Sequence, residues 1–192
     1  MKEVELVIAK YKENIDWIKL ILHPSRIYDK SDTPITGSIP LPNVGREAHT
    51  FLYHIVKNYD NLADVTVFLQ GNPFEHVEGC PSYSDKTIQH INSITKDSEF
   101  EPFYREAIRE TSHTNFNIGG IFTTDIYLFS SGAQYIVPKV FILNRPLSLW
   151  KKLLDLSDTN LMYDTTKICP WSFERIWMML FKGDAINPAF LK

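Results

Sequence analysis

The first seventy residues alternate between strand-like and helix-like patterning, and that order restricts the fold more than any other feature. Val4 to Ala9 form an apolar run, followed by Lys10, Tyr11, Lys12 and Glu13 as a polar turn. Asn14 is placed to cap a helix that carries Ile15, Ile18, Ile21 and Leu22 at helical spacing. Arg26 to Tyr28 read as a short second strand ending in Asp29, and residues 31–43, rich in Pro, Ser, Thr and Gly, as a loop. A helix and a third strand, Val65 to Leu69, complete a βαβαβ order. That order specifies an α/β fold: one Rossmann-like, mostly parallel sheet flanked by helices, with the strand ends near Lys10, Asp29 and Gln70 on one edge.

Residues 43–76 hold the richest chemistry. With Asn43 as N-cap and Gly45 allowing close packing, a helix starting near Val44 aims free N–H groups and a positive dipole end outward, which suits an anion. Ala48, Phe51, Leu52, Ile55, Val56 and Tyr59 fall on one apolar stripe, and Arg46, His49 and Tyr53 on another strip. The third strand reads as buried on both faces, and Gln70, Gly71, Asn72, Pro73, Glu75 and His76 follow it at once. Polar loops at the carboxyl ends of sheet strands are where ligands bind in such folds. Asp29 has the same location, where a carboxylate often accepts from ribose hydroxyls, but with no G-x-G-x-x-G in the chain a turn aspartate is an equally good reading. Taken singly, each residue has a plainer reading: a helix start at Asn43 and Gly45, a solvated first turn at Arg46 and Glu47, a partly buried, bonded histidine at His49. Their convergence on one edge favours a site.

From Gly79 the texture changes. Pro81 and Ser84 introduce a helix with Ile88, Ile91 and Ile94, and Glu101 to Glu110 read as another holding Phe103, Tyr104 and Ile108. The polar segment between Thr111 and Thr124 reads as a long loop. Ile126 to Phe129 and Gln134 to Val137 resemble strands joined by Ser130, Ser131, Gly132 and Ala133, small residues that allow close backbone approach. Pro146 starts a helix with Leu147, Trp150, Leu153 and Leu154, and Pro170 starts a last one with Phe173, Ile176, Trp177 and Leu180 as its core stripe. Glu174 sits at that stripe's margin beside tryptophan and methionine, where desolvation raises a carboxyl pKa and suits it to acid or base work. The plainer reading pairs it with Arg175 or Arg46 to hold the helix.

Composition excludes several classes. A net charge of −3, with no Lys/Arg cluster interleaved with aromatics, argues against nucleic acid. Two cysteines, Cys80 and Cys169, make neither a disulfide framework nor a CxxC metal site and read as free thiols of a reducing compartment. The amino terminus lacks the uninterrupted apolar region of a signal peptide, and no segment approaches the ~20 apolar residues of a membrane span, so the expectation is a cytoplasmic protein whose membrane contact, if any, is peripheral. No G-x-S-x-G elbow, Walker loop, H-E-x-x-H or D-x-D occurs. Glu75 and His76 make the closest acidic and imidazole cluster, compatible with Mg²⁺ or Mn²⁺.

The segments VIAKYKENIDWI, NVGREAHTFLYHIVKNYDNLADVTVFLQGNPFEH, SSGAQYIVPK with NRPLSLWKKLL, and PWSFERIW resemble, in that order, a domain-of-unknown-function family whose members look like small glycosyltransferases of the A-type nucleotide-sugar fold. The resemblance implies one domain over residues 1–192, with 1–78 as the nucleotide-binding half and 79–192 as the acceptor side. It implies a nucleoside diphosphate sugar donor and a glycan or lipid-linked acceptor. By position, Ala9, Lys10 and Tyr11 would line the base pocket and Asp29 the ribose, while Gly132, Ala133 and Gln134 would contact sugar or acceptor. Gln70, Gly71 and Asn72 stand where such transferases carry D-x-D. Metal use would then fall to Glu75 or His76, or Arg46, His49 and the helix end would neutralise the diphosphate without Mn²⁺ or Mg²⁺. The expected catalytic base is Glu174, with Asp125 second. Three rivals remain: a non-catalytic nucleotide-sugar or glycan-binding module, a metal-dependent hydrolase using Glu75, His76 and His49, and a structural protein.

Overall fold

The computed structural model describes residues 2–74, 85–103, 108–112, 120–124, 126–162, 164–183 and 186–190. Among them lie eight strands, β1 (Val4–Lys10), β2 (Ser25–Asp29), β3 (Ile39–Pro40), β4 (Val65–Gln70), β5 (Glu101–Pro102), β6 (Ile108–Ser112), β7 (Ile126–Ser130) and β8 (Tyr135–Pro138). Five α-helices accompany them, α1 (Arg46–Asn58), α2 (Asp85–Ser93), α3 (Lys139–Leu143), α4 (Leu147–Leu156) and α5 (Pro170–Lys182).

The main sheet has the order β3-β2-β1-β4-β8-β5. β1 pairs in parallel with β2 and β4, and β2 with β3, whereas β8 runs antiparallel to both β4 and β5. The sheet is therefore mixed but mostly parallel, as the βαβαβ order requires. β6 and β7 form a separate antiparallel pair.

Alternation along the strands divides the core. Val4, Leu6, Ile8, Val65, Val67 and Leu69 face one side and pack with Trp17, Ile88 and Ile91. Val7, Phe68, Tyr135 and Val137 face the other, under α1, α4 and α5. β4 is covered on both faces, and only its last residue, Gln70, reaches toward solvent. No helix of the described residues is long and apolar enough to cross a membrane.

Several local expectations change. The helix expected after Asn14 is a single 3-10 turn, Asp16–Leu20. Pro24 restricts the residue before it to extended backbone, so the chain cannot continue helically, and its carbonyl instead accepts from Leu6 N–H at 2.9 Å. Trp17 is the buried anchor there, while Leu22 is 81% exposed. The helix read over Glu101 to Glu110 is replaced by β5 and β6. Pro102 denies a helix its hydrogen bond, and Phe103 N–H instead reaches the Gln134 carbonyl at 2.8 Å. The loop 31–43 contains the short β3, and α3 fills a stretch for which no helix was expected. Residues 113–119, most of the expected polar loop, lie outside the described residues, as does Cys80. Cys169 is a buried free thiol.

Candidate functional site

The chain leaves β1 to one side to build β2 and β3, then returns to place β4 on the other side of β1. The gap between the carboxyl ends of β1 and β4 is thus the switch point of the sheet, where open α/β folds bind ligands. A cleft of about 520 Å³ opens there. Its strand-side wall is Ala9, Lys10, Tyr11, Glu13 and Gln70; its helix-side wall is Asn43, Arg46, Glu47, Asn160 and Trp171, with Lys30 between them.

The register brings the three expected strand ends together, Lys10 opposite Asp29 and Ala9 opposite Gln70. Their side chains are largely engaged with the protein. Asp29 is fully buried. Its carboxylate accepts from Ser31 N–H (2.9 Å), Ser31 hydroxyl (2.6 Å) and Ile35 N–H (3.1 Å) and pairs with Lys10 Nζ at 3.1 Å. Burial alone would raise its pKa; the bonds from Ser31, Ile35 and Lys10 outweigh it and hold the carboxyl below its ordinary range. Asp29 is absent from the cleft lining, and this geometry makes it the brace of loop 31–35 and of Lys10.

The start of α1 differs from the expected one in register. Gly45, in the left-handed conformation at φ 61°, is the N-cap, and Arg46 follows at φ 47°. Gly45 N–H donates to Thr159 carbonyl at 3.1 Å, so it is not available to a ligand. Lys30 straddles these two residues, donating to Val44 carbonyl at 2.5 Å and to Arg46 carbonyl. It is 5% exposed, and burial lowers its pKa to about 7, with Glu47 opposing. Lys30 is therefore a cation that titrates near neutrality. Arg46 projects its guanidinium over the Trp171 ring, 5.1 Å from the centroid. Asn43 is exposed, and its carbonyl accepts from Asn160 Nδ2 at 2.7 Å.

His49 departs from the anion-binding strip expected for it. It is 9% exposed, stacks on Tyr53 with ring centroids 6.4 Å apart, and is not in the cleft lining. Burial, reinforced by Lys30, lowers its pKa to about 4, so it is neutral near pH 7.

Because β8 runs antiparallel to β4, the turn before it lies beside the end of β4. Gln70 Nε2 donates to Gly132 carbonyl (2.9 Å), Gln70 N–H to Gln134 Oε1 (3.2 Å), and Gln134 Nε2 to Pro73 carbonyl (3.3 Å). Ala133, at φ 50°, is fully buried. Gly132, Ala133 and Gln134, expected to contact sugar or acceptor, are absent from the cleft lining, and the hydrogen bonds of Gly132 and Gln134 with Gln70 lock the β4–β8 junction. Glu174 belongs to that lock: one oxygen accepts from Gly132 N–H at 2.9 Å and the other pairs with Arg175 at 3.0 Å.

Gly71 N–H donates to Ala9 carbonyl, while its own carbonyl accepts from Trp17 indole N–H. A Cβ here would lie 2.7 Å from Glu13 Oε2. Asn72 lines a different hollow of about 630 Å³, beside Trp17, Leu20 and Phe74. That hollow is larger but poorer in available polar groups, since Asp16 pairs with Lys19 and Asn72 Oδ1 accepts from Phe74 N–H. The switch-point cleft is the better site. Among the described residues no group of three or more His, Cys, Asp or Glu is placed to hold a metal ion. Glu75, His76 and Asp125 lie outside the described residues.

The residue that sequence reading passed over is Glu47. Its place beside Arg46 reads as a solvated first turn, yet it is partly buried and lines the cleft. Burial, with Glu174 adding to it, raises its pKa against the opposing pull of its own backbone N–H, Arg46 and Lys30. Its signal was position, in the first turn of the helix that faces the strand ends.

Residues 6–79 match the model of the family described as protein of unknown function (DUF3431). The matched span runs from β1 past β4 and holds Lys30, Arg46, Glu47 and the whole strand-side wall of the cleft. No curated protein and no solved structure matches the chain.

Proposed function

We propose that the protein is a nucleotide-sugar-dependent glycosyltransferase that holds a nucleoside diphosphate sugar in the switch-point cleft and transfers the sugar to a glycan or lipid-linked acceptor. The observation that carries this reading is the pairing, in one cleft at the β1 and β4 ends, of two basic groups with aromatic walls. Arg46 supplies positive charge for a diphosphate, and Lys30, tied to the Val44 and Arg46 carbonyls, adds to it in its protonated form. Tyr11 and Trp171 supply flat apolar surface for a base or sugar ring. Lys10 acts indirectly, since its ammonium is committed to Asp29 and to the Tyr11 carbonyl at 2.9 Å and thereby shapes the strand-side wall. Glu174 likewise shapes the site, by fixing Gly132 beside Gln70.

Release of free nucleoside diphosphate from a panel of nucleotide sugars, with and without glycan and lipid-linked acceptors, tests the reading. The expected result is acceptor-dependent release from one nucleoside family, reduced at least ~10-fold in Arg46→Ala by loss of one charge-assisted contact. Binding of a nucleotide sugar without turnover favours the binding-module reading, for which the commitment of both Glu174 oxygens is the supporting observation.

A further inference from the structure

Transfer of a sugar to a hydroxyl needs a carboxylate with an oxygen open to the reacting atoms. The acidic side chains around the cleft differ in this respect. Both Asp29 oxygens are engaged beneath it, and both Glu174 oxygens are held by Gly132 and Arg175. Glu13 also lines the cleft but ties Oε2 to Tyr11 N–H at 2.6 Å and packs against Gly71, which leaves one oxygen, on the strand-side wall. Glu47 lines the cleft, and among the described residues its carboxylate has no hydrogen bond or ion pair with any other residue.

The wall around Glu47 is chemically distinct from the strand side. It offers the partly exposed indole of Trp171 with Arg46 stacked on it, and the amides of Asn43 and Asn160. An indole face suits the C–H face of a sugar ring, and planar amides and a carboxylate suit its neighbouring hydroxyls. We propose that Glu47 is the catalytic proton acceptor for a sugar hydroxyl held on this helix-side wall by Trp171, Asn43 and Asn160. The proposal rests on the transferase reading and assigns the acceptor to a carbohydrate.

In the step, the acceptor hydroxyl proton passes to a Glu47 oxygen as the acceptor oxygen forms its bond to the anomeric carbon. The bond from that carbon to the donor's phosphate oxygen breaks, and its electron pair leaves with the nucleoside diphosphate, whose added charge Arg46 and Lys30 face. This single displacement inverts the anomeric configuration. The groups that face Glu47 set its titration: Arg46 on α1, Lys30 at the end of β2 and Glu174, paired with Arg175, on α5. Burial places its titration above the ordinary carboxylate range, so the transfer rate falls as pH drops through that raised value.

The test is Glu47→Gln, read as donor binding, transfer rate and pH profile. Stabilisation by the nucleoside diphosphate persists, kcat falls ~10²- to 10⁴-fold, and the residual rate loses its acid limb. Glu47→Asp retains the carboxylate but withdraws it, so it lowers kcat by roughly 10-fold or more and keeps the acid limb. If Glu47→Gln turns over at the wild-type rate, or Glu47→Asp leaves kcat unchanged, the assignment of Glu47 is overturned and the transferase reading stands. A wild-type protein that releases no nucleoside diphosphate with any sugar acceptor overturns both.

Discussion

Gly45→Ala is expected to cost about 2–5 kcal/mol of stability, the sum of a left-handed residue acquiring a Cβ and of overpacking against rigid neighbours. Gly45 stands at φ 61°, and a Cβ built there collides with the carbonyl of Ser157 and lies 2.7 Å from His49 Cβ. Neither neighbour yields readily. Ser157 carbonyl accepts from Thr159 N–H at 2.9 Å, and Thr159 carbonyl in turn accepts from Gly45 N–H at 3.1 Å, so the two segments clamp each other. Relief requires the 157–159 loop to part from the start of α1, which moves Arg46 and Glu47 away from the strand ends. Thermal unfolding reads the stability loss as a fall of roughly 5–20 °C for a domain of this size. Wild-type stability in Gly45→Ala would show that the close packing of this turn is not required.

Trp177→Ala is expected to cost about 3–5 kcal/mol, the range for removing a fully enclosed large aromatic. Trp177 is 0% exposed. Its ring stacks on Phe181 at 5.4 Å and 15°, and lies 5.7 Å from Phe173 and 6.0 Å from Phe51. These contacts join α5 to α1 and, through Phe68 beside Phe51 and Phe181, to the sheet. Trp177→Phe serves as the control. Trp177 Nε1 is buried without a hydrogen-bond partner among the described residues, so losing that N–H removes a desolvated donor and offsets part of the lost volume. The alanine variant therefore unfolds at much lower denaturant concentration than the phenylalanine variant. Equal midpoints for the two would contradict the stacked-core account.

Where periodicity was long and unbroken, the sequence disclosed the fold. The α5 stripe of Phe173, Ile176, Trp177 and Leu180 is wholly buried, and the apolar run 65–69 is a central strand. Short or interrupted patterns misled. Ile15, Ile18 and Ile21 keep helical spacing, but Trp17 seals the core from a 3-10 turn before Pro24, which local spacing cannot reveal. Pro102 breaks the helical pattern in the stretch from 101 to 110.

The cleft was legible as a location. Ala9, Lys10, Tyr11, Asn43, Arg46 and Gln70 do line one cleft. Availability was not legible, because it depends on partners distant in sequence. Glu174 meets Gly132 across a sequence separation of 42 and Gln70 meets Gly132 across one of 62. Asp29 is committed to Lys10 through strand pairing, and Glu47 lines the cleft with no side-chain partner among the described residues.

The measurement that tests the central claim most directly is thermal unfolding of the wild type and Arg46→Ala against a panel of nucleoside diphosphates and their sugars. The account predicts stabilisation by one nucleoside family, about 2.7 kcal/mol at a hundredfold excess over Kd, read as a Tm rise of several degrees. It predicts that Arg46→Ala, folded as the wild type is, loses most of that rise. If no nucleotide raises Tm, or if Arg46→Ala responds as fully as the wild type, the switch-point cleft is not a nucleotide-sugar site.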